Sequence, residues 1–283
     1  PSPMRRARTR RRSEAPMKIL KLISIADIFT CINGLLGLFS ILATVSGWYI
    51  FAINLILLGV LADGLDGVFA RRFSKRWYLG DYLDLMSDTV TFCVAPSVLM
   101  YKLYFDWSDI PTTFDGFLSG IVDPNKVPVL IPLACGAIVV TGILRLARFC
   151  YQSPFLKGDH FIGVPTPSAA STLTLLMLMD LDLGNGKPGP VTPTIIGALA
   201  LVLAFLMICD IKFLKMRGSI EWIAGGLVIM AIVLNEYTEV VAVVFVASII
   251  YLVVGPFVVR RKEKKEKAAK VKVPKHPKAK VRP

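Results

Sequence analysis

The sequence predicts an all-α, polytopic membrane bundle of about eight transmembrane helices, with both termini cytoplasmic. Three observations carry that prediction. Of 283 residues, 54% are hydrophobic, and they fall in long runs rather than amphipathic stripes. The mean hydropathy, +0.62, lies well above that of a soluble domain. The positive charge, finally, is sorted along the chain in a pattern that only a membrane explains.

Runs of about 20 apolar residues span the hydrocarbon when helical. Helices are the default there, because an open sheet leaves backbone groups unpaired in lipid. The runs lie at 23–46, 49–70, 83–105, 127–149, 162–180, 192–210, 219–235 and 238–259. Eight spans that start inside place residues 1–22, 71–79, 145–160, 212–217 and 260–283 on one side. These segments hold 8, 4, 3, 3 and 12 Lys plus Arg, which is 30 of the 33. The opposite side keeps Lys102, Lys126 and Lys187 among Asp106, Asp109, Asp115, Asp123, Asp180, Asp182, Glu236 and Glu239. The positive-inside rule then puts both ends in the cytoplasm. A net charge of +13 would otherwise suggest nucleic acid, and its placement excludes that partner in favour of topology and anionic headgroups.

Taken in order, Pro1–Pro3 ahead of Met4 are expected to be an artificial leader and carry no weight. Residues 1–22 form a basic arm that becomes an interfacial helix near Met17–Leu22. Residues 23–259 read as a single transmembrane domain without an internal repeat, which argues against an inverted-repeat transporter. Its one sizeable outer loop, 106–126, is acidic, contains Pro111, Gly116, Gly120 and Pro124, and would pack as a small cap. Residues 260–283 form a basic tail without apolar periodicity, expected to be disordered beyond its first turns. Cys31, Cys93, Cys135, Cys150 and Cys209 are dispersed, and His160 and His276 have no partner at ligand spacing. Zinc and disulfide frameworks are therefore excluded, leaving a hard, oxygen-ligated cation as the metal class the chain could serve.

The chemistry concentrates in LADGLDGVFARRFSKRWYLGDYLDLMSD, residues 61–88. A charged residue in the hydrocarbon costs roughly 2.5–3.5 kcal/mol on insertion scales, so four aspartates call for a compensating ligand. Positions 63, 66, 67, 70 and 71 share one helical face, and 80, 84 and 88 share another in steps of four. The turn between them lets the faces converge at the cytoplasmic end. Four such carboxylates repel unless protonated or bridged, and two divalent ions would balance them. The plainer alternative is a set of interfacial acids neutralised by Arg71, Arg72, Lys75 and Arg76. Asp81, near the same face, reads as a first-turn acid favoured by the helix dipole rather than a ligand.

The pattern Asp63-x2-Asp66-Gly67-x2-Ala70-Arg71-x8-Gly80-x3-Asp84-x3-Asp88 resembles the complete signature of the CDP-alcohol phosphatidyltransferase family, with every gap matched. The resemblance implies a helical bundle, usually dimeric, whose first six spans form the core. It implies displacement of CMP from a CDP-linked lipid by an alcohol, at a site on the cytoplasmic edge of the cell membrane. By position, Asp63, Asp66, Asp84 and Asp88 would hold two cations, Mg²⁺ or Mn²⁺. Asp63, Gly67, Ala70, Arg71, Gly80, Thr30 and Asn33 would surround the CDP moiety, and Asp88 would take the proton from the incoming hydroxyl.

The acceptor is read from weaker local features. TVTFCVAP after Asp88, RLARF at 145–149 and GVPTPSAA at 163–170 resemble the serine-using branch, the phosphatidylserine and archaetidylserine synthases, over roughly residues 20–215. That implies L-serine as second substrate and CMP as product. One departure stands in the first span, where Ala26-Asp27 replaces the Pro-Asn common in relatives, while Thr30, Asn33 and Gly37 keep the pattern. Arg145 and Arg148, at i and i+3, would suit a serine carboxylate or a lipid phosphate, and a pair of ordinary interfacial anchors is the alternative. Thr166 and Ser168 read first as a helix N-terminus and second as pocket lining. Two other readings stand beside the serine reading. The same chemistry could serve glycerol 3-phosphate or inositol phosphate, although these should demand a denser basic cluster. A cation or proton transporter could also use intramembrane acids, though such acids tend to lie mid-membrane.

Overall fold

The computed structural model describes residues 25–73, 78–105, 130–152, 160–189, 193–214, 219–235 and 237–272. The basic arm, the outer loop 106–126, and the side chains of Ala70, Arg71, Arg72, Lys75 and Arg76 lie outside the described residues.

The chain is mostly helical. Helix α1 (Ile25–Val45) turns back at Ser46-Gly47, where Gly47 takes a φ of +82° that a side chain would oppose, into α2 (Tyr49–Phe73). The buried face of α1 is polar or small: Asp27, Thr30, Asn33, Gly37, Ser40 and Thr44, at steps of three and four. Its opposite face exposes Ile28, Ile32, Leu35, Leu38, Phe39 and Leu42. That inversion suits a lipid-facing helix, whose polar groups must find partners inside. Ser40 Oγ accordingly donates to the Ala52 carbonyl of α2 at 2.8 Å.

The third passage is one continuous rod in three parts: α3 (Tyr78–Asp88), a π-helical turn (Thr89–Val94) and α4 (Ala95–Tyr104). Pro96 has no N–H to continue the α-ladder and its ring crowds the preceding turn. The ladder widens just before it, and the Ala95 N–H reaches back to the Val90 carbonyl. There follow α5 (Leu130–Gln152), α6 (Thr166–Leu183), α7 (Pro193–Ile208), α8 (Ser219–Val233) and α9 (Thr238–Lys272). Residues 169–178 of α6 are all buried, so α6 is the central helix.

Each predicted apolar run contains a helix, and among the described residues five have the length and hydropathy a span requires. These are Asp27–Val45, Tyr49–Gly67, Gly80–Tyr104, Leu130–Tyr151 and Thr238–Arg261. Helix α7, at 16 residues, reaches only about 24 Å. Helix α8 is shorter still at 15 residues, and α6 carries Asp180 and Asp182 in its last turn. One short strand pair stands beside the helices. Strand β1 (His160–Ile162) pairs antiparallel with β2 (Lys212–Leu214), Phe161 opposite Phe213. The linkers before α6 and after α7 meet there and satisfy each other's backbone groups. At the far end α9 runs on to Lys272, well into the expected tail, because its Lys, Glu and Ala residues are good helix formers.

Candidate active site

Asp63 and Asp66 are a turn apart on α2, and Asp84 lies on α3. A carboxylate oxygen from each falls within 4.8 Å of the others. Asp88, a turn beyond Asp84, is buried and stands outside this trio, although within electrostatic range of all three. The structure thus brings three of the four predicted aspartates into one ligand-sized group and sets the fourth behind it. Asp81 is exposed and not among the trio.

The trio fits a hard cation. Its donors are carboxylates alone, and Asp84 Oδ1 is buried without a hydrogen-bond partner among the described residues. An orphaned buried carboxylate oxygen is costly unless something positive reaches it. Asp66, by contrast, is oriented: Thr30 Oγ1 donates to its Oδ2 at 2.9 Å, and the Gly67 N–H donates as well.

Thr30 and Asn33, expected around the nucleotide, each donate to a carboxylate of the cluster. Asn33 Nδ2 donates to Asp88 Oδ1 at 3.0 Å, and Asn33 has no exposed surface. Gly67 and Gly80 lie beside the acids, Gly67 directly after Asp66. A Cβ at Gly80 would stand 2.8 Å from Asp27 Oδ1. Asp27 is therefore a fifth carboxylate at the site, buried and within electrostatic range of Asp66. Its phase with Thr30, Asn33, Gly37, Ser40 and Thr44 was the available signal, and it marks one polar face of α1.

The two arginines part company. Arg145 is buried, donates from Nη1 to Thr166 Oγ1 at 2.9 Å, and lies within electrostatic range of Asp63 and Asp88. Among the described residues it is a buried positive charge that faces the acids. Arg148 pairs with Asp210 at 2.8 Å, and its Nη2 donates to the Met207 and Ile208 carbonyls at 3.3 and 3.1 Å. It caps the C-terminus of α7, whereas Arg145 faces the acids. Thr166 opens α6 and its Oγ1 accepts from Arg145. Ser168 serves α6 itself through its carbonyl, which accepts from Ser171 and Thr172. Tyr251 of α9 also falls within electrostatic range of Arg145, a neighbour that no local sequence spacing signals.

The chain is 34% identical over 155 residues to the archaetidylserine synthase of Methanothermobacter thermautotrophicus, covering 54% of this chain and 57% of that one. It is 33% identical to the CDP-diacylglycerol–serine O-phosphatidyltransferase of Methanocaldococcus jannaschii, over 71% of this chain and 79% of that one. The Helicobacter pylori protein of the same name is 27% identical over 83% of this chain and 92% of its own length. The match to the first relative thus spans little more than half of it, and the others are covered more fully. The family model described as CDP-alcohol phosphatidyltransferase matches residues 23–209, which enclose every aspartate of the cluster, and the chain belongs to that family.

Proposed function

We propose that this integral membrane enzyme transfers the phosphatidyl group of a CDP-lipid to the hydroxyl of L-serine and releases CMP. The observation that carries the reading is the convergence of Asp63, Asp66 and Asp84 from two helices, with Asp88 set one turn behind. The relatives named for serine transfer support the acceptor.

The family is divalent-cation dependent in general, and Asp63, Asp66 and Asp84 would hold Mg²⁺ or Mn²⁺, two ions with Asp88 completing the set. When bound, the cations supply Lewis acidity that offsets charge on the pyrophosphate. The chain's own residues do the rest. Gly67 and Gly80 let the cytidine nucleotide approach the helix backbone, with Ala70 and Arg71 beside it. Arg145 draws the serine carboxylate, which places the hydroxyl near Asp88. Asp88 takes the hydroxyl proton as the serine oxygen bonds to the lipid-linked phosphorus. The bond from that phosphorus to the CMP oxygen breaks, and CMP leaves with the electron pair.

The same reading places eight passages in the membrane, with both termini and the active site on the cytoplasmic side of the cell membrane. Residues 1–22 form the interfacial arm, 23–259 the catalytic domain and 260–283 the basic tail. It also makes the enzyme a homodimer. Purified protein supplied with radiolabelled serine and either CDP-diacylglycerol or CDP-archaeol tests it, with and without chelator. Expected is CMP release that requires serine and Mn²⁺ or Mg²⁺. Release with glycerol 3-phosphate or inositol phosphate, and none with serine, would overturn the acceptor assignment.

A further inference from the structure

The buried polar face of α1 is tied to the aspartates, and tied back again. Asn33 Nδ2 donates to Asp88 Oδ1, while the Asn33 carbonyl accepts from Thr91 Oγ1 at 2.8 Å. One turn earlier the pattern repeats, with Thr30 Oγ1 on Asp66 and Ser87 Oγ on the Thr30 carbonyl at 2.8 Å. Ser87 and Thr91 flank Asp88 on the same rod, and Thr91 lies in the π-helical turn. Thr91 is fully buried in a notch between two glycines. A Cβ at Gly37 would come 2.5 Å from its Oγ1, and one at Gly59 would come 2.5 Å from its Cγ2 and 3.0 Å from Asn33 Oδ1. Asn33 has no exposed surface, and its Nδ2 is committed to Asp88, while its Oδ1 is buried without a hydrogen-bond partner among the described residues.

We propose that Asn33 is a positioning residue for Asp88, and that Thr91 in the π turn fixes Asn33 in its turn. This deepens the transfer reaction proposed above and rests on it. A carboxylate turns freely about its last bond unless one oxygen is held. Asn33 holds Oδ1, which fixes the plane of the Asp88 carboxylate and with it the direction from which the acceptor hydroxyl must arrive. The widened turn directly after Asp88 lets Thr91 reach the α1 backbone, while Ser87 reaches it from the turn before.

Three variants and one double variant test this, compared by steady-state kinetics with the wild type. Asn33→Ala should lower kcat by about 100-fold. Its KM for CDP-lipid and serine, and its half-saturating Mn²⁺ concentration, should stay within about threefold. Thr91→Val keeps the packed volume but loses the hydroxyl, and should lower kcat by about tenfold. Thr91→Ser keeps the hydroxyl and should restore most of the turnover. The Asn33→Ala, Thr91→Val double variant should be no slower than Asn33→Ala, since both changes act through one carboxylate.

A raised CDP-lipid KM at unchanged kcat in Asn33→Ala would overturn the proposal and make Asn33 a nucleotide contact. Should Asn33→Ala not fold, equal turnover in Thr91→Val and Thr91→Ser would overturn it equally well. Wild-type turnover with serine tests the reaction itself. If another alcohol proves to be the acceptor, that reading fails separately, and the ratio of variant to wild type is taken with that alcohol.

Discussion

Arg145 reaches Thr166 Oγ1 through Nη1 at 2.9 Å, while its own Nε is buried without a hydrogen-bond partner among the described residues. A buried guanidinium donor left unmet is costly, and under the proposed reaction an anion arriving with the substrate would meet it. The serine carboxylate is that anion under the proposed reaction. Arg145→Lys keeps a positive charge but loses the planar fork. Its KM for serine should rise about tenfold, with a smaller change for CDP-lipid. Serine saturation curves check this, and an unchanged serine KM would remove Arg145 from the acceptor site.

The trio on α2 and α3 predicts how stability responds to metal. Three carboxylates within 4.8 Å repel one another until a cation joins them. Saturating Mn²⁺ at about 100 times its Kd should stabilise the wild type by about 2.7 kcal/mol, and chelator should remove that gain. Asp84→Asn should abolish the metal-dependent shift and lower CMP release about 100-fold or more. In chelator the same variant should melt no lower than the wild type, because a like charge has gone. Thermal melts in detergent with and without Mn²⁺ read all of this, and an Asp84→Asn protein that keeps the full Mn²⁺ shift would exclude Asp84 as a ligand.

Much of this site could be read from the chain because its spacing is local. Asp63 and Asp66, or Asp84 and Asp88, share a face by helical geometry alone. The polar phase of α1 could be read the same way, but not what it meets. That Asn33 bonds Asp88 depends on how α1 packs against a rod 55 residues further on. Arg148 is a second case of contacts set by the fold. Its charge at a helix end looks like an anion site, and only the fold brings Asp210 and the end of α7 to it. The π turn follows from Pro96 in retrospect, whereas a proline alone predicts a kink as readily as a widened turn.

Glycine positions on the bundle should separate into those that hold a neighbour and those that do not. A Cβ at Gly37 would stand 2.8 Å from Thr91 Cα, which is backbone and cannot swing aside. Gly37→Ala should therefore cost about 1–3 kcal/mol through overpacking. Gly136, on α5, has nothing within 4 Å of the same position among the described residues. Gly136→Ala should stabilise by about 0.5–1 kcal/mol through helix propensity. Melting temperatures of the two variants should move in opposite directions, and a shared direction would contradict the packing described at Gly37.

The far end of the bundle should affect stability without touching catalysis. Asp180 is fully buried at the end of α6, and its Oδ2 accepts from Tyr104 Oη at 2.8 Å and from the Gly189 N–H at 3.0 Å. These bonds pin the last turn of α4 and the loop after α6 to one carboxylate. Tyr104→Phe leaves that carboxylate with one donor fewer in a place water does not reach, at a cost of about 1–3 kcal/mol. For a chain of this size the melting temperature should fall by about 2–4 °C for each kcal/mol lost. Tyr104 closes the rod that carries Asp84, and 20 residues of helix place it about 30 Å from that aspartate. Local loosening at one end of a rigid helix does not reposition a carboxylate at the other. Well below the melting temperature, kcat and both KM values of Tyr104→Phe should therefore match the wild type. A tenfold loss of kcat with an unchanged melting temperature would mean that the two ends are coupled, contrary to this assignment.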